Sequence, residues 1–404
     1  QGGGAGYVIE NSLRFNDNDS AYLSFSKGAP TDGSKGVMGV WLKRSNISLS
    51  AISTIVYGSP GESTRIEITN GTDVINIADD GVQCLETNQV FRDPTAWFHL
   101  LLSYDSDEGT AANRLKMFLN GVEITSFGAD GRSNIASGEE WGLLVNSGVQ
   151  QWGLGAGGGT YWDGYMAQAF IIDGLSIQNG DYAVSDFIDT DSNGNVIPVD
   201  LEGAGITWGN NGSLLDFAIA PGTGNGAGED VSGNNNDFSE SGFAANDKVS
   251  DSPTDDSSTG ASNYATLSKI VRPSADNGVI SNGGTTSVTN YAVSPFGMTS
   301  GKWYVEFTPT GISTFYAALF KDSTSLAFQF TADGEGRAYD NLGRYWKDGA
   351  VISTGHGAVS NGDHVAIAVD LDNLNIEWYI DNVSKYEATD LEAGQTWYFT
   401  CGTS

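Results

Sequence analysis

The chain has few cysteines, no long apolar run and little positive charge. Its only cysteines, Cys84 and Cys401, fall in different halves, so the chain has neither a disulfide framework nor enough thiolates for a metal cluster. No run of about 18 apolar residues occurs, which predicts that no helix spans a membrane. The sequence begins at Gln1 instead of methionine, and we expect the native polypeptide to continue beyond both ends.

The charge balance is strongly acidic. There are 19 Lys and Arg residues against 50 Asp and Glu residues, which gives a formal net charge of -31. Such a chain repels phosphate backbones, so nucleic acid is excluded as a partner. Salt limits the range of the self-repulsion between these charges to roughly 8 Å or less, and a saline medium would therefore suit the chain.

Glycine and aromatic residues are abundant and favour an all-β chain. The 54 glycines and the aromatic fraction of 11% are typical of short strands, tight turns and cores filled with rings. Apolar and polar residues alternate in short runs between Gly, Asn and Asp, which predicts strands and almost no helix. The predicted strands include Gly39 to Lys43, Thr64 to Thr69, Trp97 to Tyr104, Arg114 to Leu119 and Tyr165 to Ile172.

A chain of 404 residues exceeds what one hydrophobic core usually organises. Composition divides it into an N-terminal extension at 1–11, a β-sandwich at 12–176, a connector at 177–263 and a second β-sandwich at 264–404. The connector is rich in Gly, Asn, Asp and Ser, and its apolar islands around Trp208 and Leu214 are predicted to add edge strands to a neighbouring sheet. The final strand has no successor to pair with, so we expect the second sandwich to be incomplete at its C-terminus.

The two halves contain a related pair of strands. The segments HLLLSYD from His99 and HVAIAVD from His364 have the same length and polarity, and both end on an acidic residue. Each is followed by a partner strand with an Asn/Asp turn, LKMFLNGVEI from Leu115 and IEWYIDNVSKY from Ile376. The repeated order predicts two related sandwiches.

Several segments resemble virion proteins of marine tailed phages. They are SLRFN from Ser12, QVFRDPTAWFHLL from Gln89, NRLKMFLNGVEITSF from Asn113, DGYMAQAFIIDG from Asp163, DVSGNNNDF from Asp230 and DSPT from Asp251. In those proteins a laminin-G-like domain precedes an Asn/Gly-rich connector and a SPRY-like domain, which SGKWYVEF from Ser300 and GDHVAIAVDLDNLNIEWYIDN from Gly362 resemble here. The resemblance implies two concanavalin A-like β-sandwich (jelly-roll) domains on a virion surface, laminin-G-like at 12–176 and SPRY-like at 264–404.

One Asp-rich loop has the donor spacing of a calcium site, with a glycine at its sixth position. The candidate ligands are Asp189, Asp191, Asn193, Asn195 and Asp200. An Asp replaces the bidentate Glu of such loops, Pro198 interrupts the exit and flanking helices are missing, so a plain Asx-rich turn is the alternative interpretation. Calcium is the only cofactor predicted.

Two loops combine aromatic rings with Asp and Asn, as sugar-binding loops at the rim of a sandwich do. The first, GAGGGTYWDG, offers Tyr161, Trp162 and Asp163. The second, AYDNLGRYWKDG, offers Tyr339, Asp340, Asn341, Arg344, Tyr345 and Trp346. Because sandwiches often bury Trp and Tyr, we expect at least half of these rings to pack in a core.

The sequence gives little support for any set of residues that could form a catalytic site. Asp370 and Asp372 have the alternate spacing that a glycosidase could use, but DLDN predicts a turn at that point. The acidic strand pattern of concanavalin A-like glucanases is missing. His99, His356 and His364 are too scattered for a zinc site, and no G-x-S-x-G elbow lies between a strand and a helix. We therefore predict that the chain is not an enzyme, with polysaccharide cleavage as the less favoured hypothesis.

The resemblance favours a tail-fibre-like virion surface protein that attaches to the host by binding a surface glycan or receptor. Weak single sites gain avidity from repeated copies, and fibre analogy indicates a homotrimer in contact with other virion proteins. The alternative hypothesis is a purely structural virion component, such as a capsid decoration or a filament subunit. We expect neither a nucleic acid partner nor membrane insertion.

Overall fold

The computed structural model describes residues 6–45, 52–59, 63–69, 71–155, 159–192, 194–264, 266–267, 280–281, 286–287, 291–310, 314–321 and 335–402. The chain forms two compact units, residues 1–264 and 265–404. Within the described ranges the regular elements are strands and short 3-10 helices, without an α-helix. No helix in these ranges is long and apolar enough to cross a membrane.

The strands of the first unit are short and numerous. They are β1 (Ser12–Phe15), β2 (Tyr22–Ser26), β3 (Lys35–Arg44), β4 (Ser53–Ser59), β5 (Arg65–Ile68), β6 (Val74–Asp79), β7 (Val82–Val90), β8 (Phe98–Asp105), β9 (Leu115–Leu119), β10 (Val122–Glu123), β11 (Phe127–Asp130), β12 (Val149–Trp152), β13 (Gly164–Asp173), β14 (Ile188–Thr190), β15 (Val196–Pro198), β16 (Ser213–Leu215), β17 (Ser239–Ser241) and β18 (Lys248–Val249). The 3-10 helices are Asp17–Asp19, Ala111–Asn113, Arg132–Asn134, Val184–Asp186, Gly226–Gly228 and Ala245–Asp247.

Two antiparallel sheets of eight strands make up most of this unit. The first sheet has the order β10-β9-β8-β3-β13-β1-β18, with β16 also paired to β13. The second sheet has the order β11-β7-β6-β5-β4-β12-β2-β17. Strands β14 and β15 form a separate hairpin.

The two sheets of the first unit enclose one apolar core. Alternate residues of β3, namely Met38, Val40 and Leu42, belong to the same fully buried cluster as Ile66 and Ile75 of the second sheet. Removing each such side chain from water contributes about 1.5–3 kcal/mol of stability. The two-residue alternation in the sequence therefore selects the face of each strand that packs inward.

Residues 177–263, interpreted from the sequence as a connector, belong to the first unit. Strands β16, β17 and β18 pair with β13, β2 and β1, so this segment extends both sheets. Phe187, Leu201 and Trp208 cover Phe170 on the outer face of the first sheet. The predicted apolar islands supply Trp208 and β16, while the Gly, Asn and Asp residues between them form turns.

Carboxylates organise those turns. Both oxygens of Asp230 accept hydrogen bonds, from the backbone N–H groups of Leu214 (2.9 Å), Ser232 (2.9 Å) and Asn236 (2.8 Å). Such side-chain acceptors satisfy backbone donors that a helix or sheet would otherwise use. A composition that resembles disorder thus encodes an ordered loop here.

The second unit contains the remaining strands. They are β19 (Ile280–Ser281), β20 (Thr286–Ser287), β21 (Tyr291–Val293), β22 (Lys302–Phe307), β23 (Tyr316–Lys321), β24 (Gly336–Asp340), β25 (Tyr345–Lys347), β26 (Ala350–Ser353), β27 (Val365–Asp370), β28 (Asn375–Ile380), β29 (Val383–Ala388) and β30 (Trp397–Gly402). A six-stranded sheet, β21-β30-β23-β24-β25-β26, and a four-stranded sheet, β22-β27-β28-β29, are antiparallel. Their inner faces share a core that includes Trp378 and Trp397, which confirms an all-β chain of two β-sandwiches.

The last strand does not lack a neighbour. Strand β30 lies between β21 and β23 and pairs with both. The sequence-based expectation of a missing partner strand is therefore wrong, because both partners precede β30 in the chain. Sequence order does not reveal which earlier strand a later strand joins.

The related strand pairs occupy matching places in the two units. The backbone N–H of His99 donates to Asn120 Oδ1 (2.8 Å), and the N–H of Asn120 donates to the carbonyl of His99 (2.9 Å). His364 and Asp381 make the same two bonds, at 3.0 and 2.9 Å. Asn120 and Asp381 both have φ of 50°, so the same turn chemistry closes the repeated element.

Candidate functional site

The outer face of the four-stranded sheet in the second unit carries two tyrosines. Cross-strand pairing of β22, β27, β28 and β29 arranges the outward side chains in two rows. The first row is Tyr304, Ala368, Glu377 and Glu387, and the second row is Glu306, Ala366, Tyr379 and Ser384. We call these eight residues the tyrosine face.

Strand alternation explains why both tyrosines point outward. Trp378, which precedes Tyr379 in β28, is fully buried in the core, so its neighbour lies on the opposite side of the sheet. Tyr304 is 56% exposed, and Tyr379 is half-buried by its neighbours. The two rings start from strands on either side of β27, roughly 10 Å apart from two strand spacings. Ala366 and Ala368 form a low floor between them.

Each tyrosine hydroxyl is fixed by a glutamate of its own strand. Tyr304 Oη donates to Glu306 Oε1 at 2.6 Å, and Tyr379 Oη donates to Glu377 Oε2 at 2.5 Å. These hydrogen bonds are the main reason why the pKa of each tyrosine is raised to about 12. Both phenols therefore stay protonated and uncharged at any ordinary pH, and their rings are held in defined orientations.

The same face is acidic. Glu306, Glu377 and Glu387 lie on it, and the cation of the adjoining row, Lys302, is paired with Asp370 at 3.2 Å. Ser384 Oγ donates to Glu377, and the side-chain amide of Asn375 donates to Glu387 at 3.2 Å. Ionised carboxylates have up to four acceptor positions, so these groups retain capacity for hydroxyl or amine donors of a ligand. The arrangement suits the binding of a ligand that has hydrogen-bond donors.

The first predicted loop contributes mostly to structure. Trp162 is fully buried in the core of the first unit and cannot present its ring to a surface ligand. Asp163 is buried and accepts a hydrogen bond from Ser45 Oγ at 2.6 Å. Tyr161 is half-buried and forms a bridge with Leu154. The loop does not bring these three side chains to one exposed site.

The rings of the second predicted loop also pack inward. Tyr339 and Tyr345 are fully buried, and their hydroxyls donate to Gly357 O (2.6 Å) and Asp390 Oδ1 (2.9 Å). Burial is the main cause that raises the pKa of both tyrosines. Asn341 Oδ1 accepts from the N–H of Phe315. These contacts hold strands together and leave little for a ligand.

Asp340 organises the rest of that loop. It is fully buried, and its carboxylate accepts from Arg344 Nε (2.6 Å) and Trp346 Nε1 (2.8 Å) as well as from two backbone N–H groups. The guanidinium of Arg344 lies over the Trp346 ring at 5.0 Å, and that ring packs against Tyr316. The side chains predicted to contact a ligand, Asp340, Arg344 and Trp346, therefore contact one another.

The predicted calcium loop forms the β14–β15 hairpin. Asp191 accepts from the N–H and the side-chain amide of Asn195, at 2.8 and 3.0 Å, as an Asx turn does. Asp189 and Asp200 each accept from a nearby backbone N–H, and Asn193 lies outside the described residues. Among those described, no three His, Cys, Asp or Glu side chains converge on a metal position. Calcium stays a prediction.

The two carboxylates considered for hydrolysis stabilise turns. Asp370 accepts from the N–H groups of Asp372 and Asn373 and from the Asn373 amide, and these bonds lower its pKa to about 2. Asp372 accepts from the N–H of Gly301 at 2.8 Å. The general acid of a glycosidase needs a raised pKa. The pKa of Asp370 is lowered instead, so this carboxylate does not suit that role.

Sequence reasoning did not identify the tyrosine face. The available signal was the Trp-Tyr pair in β22 and in β28, Trp303-Tyr304 and Trp378-Tyr379. In a half-buried strand, one member of each pair must face away from the core. That signal indicates exposed tyrosines, but it does not reveal that β22 and β28 flank the same strand.

Comparisons with known proteins found no relative by sequence and only weak similarities to solved structures. No protein-family model and no curated protein matches the sequence. The chain is similar in structure to the SPRY domain of human HERC1, at 15% identity over 30% of this chain and 79% of that chain, with a TM-score of 0.25. It is also similar to the native heptameric SAP-like pentraxin of Limulus polyphemus, at 12% identity over 43% and 81% of the two chains, with a TM-score of 0.32. A third similar structure is the PSpry domain of TRIM65, at 11% identity over 35% and 86%, with a TM-score of 0.28. TM-scores this low assign neither a ligand nor a partner to this chain.

Proposed function

We propose that this chain is a non-catalytic attachment protein of a virion surface and that it binds host glycans through the tyrosine face. The observation that carries the proposal is the pair of oriented tyrosine rings on either side of the alanine floor. Such rings offer apolar surfaces to the C–H face of a sugar, and the adjacent carboxylates accept hydrogen bonds from its hydroxyls.

The charge of the tyrosine face restricts the ligand. Its three glutamates repel anions, whereas neutral hydroxyls and protonated amines are suitable donors to carboxylates. The expected ligands are neutral or amine-bearing sugars. Sulfated and other anionic polysaccharides should bind poorly.

Display on a virion is supported by the resemblance of six segments to marine-phage virion proteins. A shallow open face gives weak binding to a single sugar, and repeated copies on one particle would raise the effective affinity by about 10² to 10⁴. A homotrimer that contacts other virion proteins would provide such repetition. The turn roles of Asp370 and Asp372 support binding without hydrolysis.

A glycan array tests this function. The labelled full chain should bind neutral or amine-bearing glycans, and Tyr304→Ala or Tyr379→Ala should each raise the Kd about tenfold, as loss of a central tyrosine contact does. Tyr7→Ala changes a tyrosine of the first unit that is 37% exposed and should leave the Kd unchanged. The proposal would be refuted if the chain bound no glycan on the array, or if the variant with both Tyr304→Ala and Tyr379→Ala still bound. Absence of binding would favour a purely structural virion component.

A further inference from the structure

Lys43 is a fully buried lysine in the first unit. It lies in β3 opposite Tyr165 of β13, and its side chain is inaccessible to solvent. The Nζ atom is 2.8 Å from Asp251 Oδ2, 2.8 Å from Asn263 Oδ1 and 2.5 Å from the carbonyl oxygen of Tyr264. An amine, a carboxylate and a carboxamide therefore meet at one point.

The buried surroundings of Lys43 and Asp251 disfavour the charged form of both side chains. Asp251 is 5% exposed and accepts a hydrogen bond from Trp97 Nε1 at 3.0 Å. Burial is the main cause that lowers the pKa of Lys43 and raises that of Asp251. Both shifts lower the cost of moving a proton from Nζ to Asp251, a transfer that leaves a neutral amine with a free lone pair.

Asn263 presents its carboxamide in a fixed orientation. Its Nδ2 donates to the carbonyl of Thr95 at 2.8 Å, so its Oδ1 faces Lys43 Nζ. Asn263 is an exposed residue, and ammonia released from its amide has a direct path to water. Positioned reactants of this kind avoid much of the entropic barrier to bond formation.

We propose that Lys43 and Asn263 form an intramolecular isopeptide bond, with Asp251 as the proton-transfer group. Nζ attacks Cγ of Asn263, so that a new C–N bond forms while the Cγ–Nδ2 bond breaks. Asp251 takes the first proton from the Lys43 ammonium and delivers it to Nδ2, which leaves as ammonia, and Asp251 then takes the second proton that Nζ loses as the amide forms. An amine and a carboxamide give an amide and ammonia, and no oxidant or reductant is required.

The bond would join β3 to the end of the first unit. It would close a loop from residue 43 to residue 263, and cross-links that close long loops restrict the unfolded chain strongly. A covalent cross-link near the end of the unit would also keep the segment that follows β18 attached to β3 when mechanical force acts on the chain. This property suits an attachment protein, but it does not depend on glycan binding.

Peptide mapping of the purified full chain by mass spectrometry tests the bond. Trypsin should not cleave after Lys43, and a branched peptide should contain Lys43 joined to Asn263 with the loss of one ammonia. Glutamine at a chain terminus can also lose ammonia by cyclisation, so the branched peptide is the decisive readout. Linear peptides at both positions would overturn the proposal, and so would a branch from Lys43 to Asp251 with loss of water.

Variants make the test specific. Asn263→Ala changes an exposed side chain, should fold, and should restore cleavage after Lys43, whereas Asn263→Asp should give a branch with the loss of water. Asp251→Ala should leave the peptides linear, and circular dichroism reports whether that variant folds. Lys27 is an internal control, because it is also buried but its Nζ contacts the backbone carbonyl of Gly142. A branch at Lys27, or an unchanged branch in Asn263→Ala, would contradict the assignment.

Discussion

Replacement of His99 by leucine should remove much of the acid sensitivity of the first unit. The imidazole of His99 is fully buried against Trp41, at 5.1 Å between ring centroids, and neither ring nitrogen has a hydrogen-bond partner among the described residues. Burial alone lowers the pKa of His99 from 6.5 to about 3. Protonation of His99 therefore destabilises the folded state relative to the unfolded state.

The magnitude follows from proton linkage. The folded state binds the proton more weakly than the unfolded state, so stability is complete above the unfolded pKa and falls as the pH drops from 6.5 toward 3. Each pKa unit corresponds to about 1.4 kcal/mol, which gives about 5 kcal/mol over the whole window. By pH 4.5 the wild type should have lost about 3 kcal/mol of unfolding free energy through this residue.

Urea unfolding of the full chain, followed by tryptophan fluorescence between pH 7 and 4.5, measures this loss. His99→Leu should lose about 3 kcal/mol less than the wild type over that range. His364→Leu is the matched control, because His364 has the equivalent strand position but is exposed, and it should behave like the wild type. Identical pH profiles for His99→Leu and the wild type would refute the reasoning.

Three further predictions concern stability. Arg337→Met removes a fully buried guanidinium that bonds Asp390 at 3.0 Å and should cost the second unit about 3 kcal/mol in urea unfolding. Lys347→Met, at a half-buried partner of the same carboxylate, should cost less than about 1 kcal/mol. Gly39→Ala places a methyl group against the Phe170 ring and should lower the unfolding free energy by about 1–3 kcal/mol; an effect near zero would contradict the packing. If the β14–β15 loop binds calcium, added calcium should raise the melting temperature and a chelator should reverse the rise; an unchanged midpoint would dismiss the site.

The fold was largely predictable because local chemistry encodes it. Alternation located β3, β8, β9 and β13, and the matching segments at His99 and His364 indicated the repeated hairpin. The role of 177–263 was not predictable from composition. Its turns depend on acceptors such as Asp230, whose donors lie up to 16 residues away. Two of its strands, β17 and β18, join partners more than 200 residues away.

The candidate site was less predictable because exposure depends on long-range packing. Trp162 and Tyr345 have the composition of a binding loop, yet one fills a core and the other bonds Asp390, 45 residues along the chain. Tyr304 and Tyr379 are 75 positions apart in the sequence, and only the pairing of both strands with β27 brings them to one face. Sequence alternation indicates that each points outward, but the order of strands in the sheet determines that they act together.

Methyl NMR of the full chain, titrated with the oligosaccharide that binds best in the array, tests glycan recognition most directly. The methyl signals of Ala366 and Ala368, which form the floor between the two tyrosines, should shift in proportion to occupancy. The methyl signals of Ala317 and Ala318, which are fully buried in the six-stranded sheet, should remain unchanged. Saturable binding without any shift at Ala366 and Ala368 would place the ligand elsewhere and contradict the account.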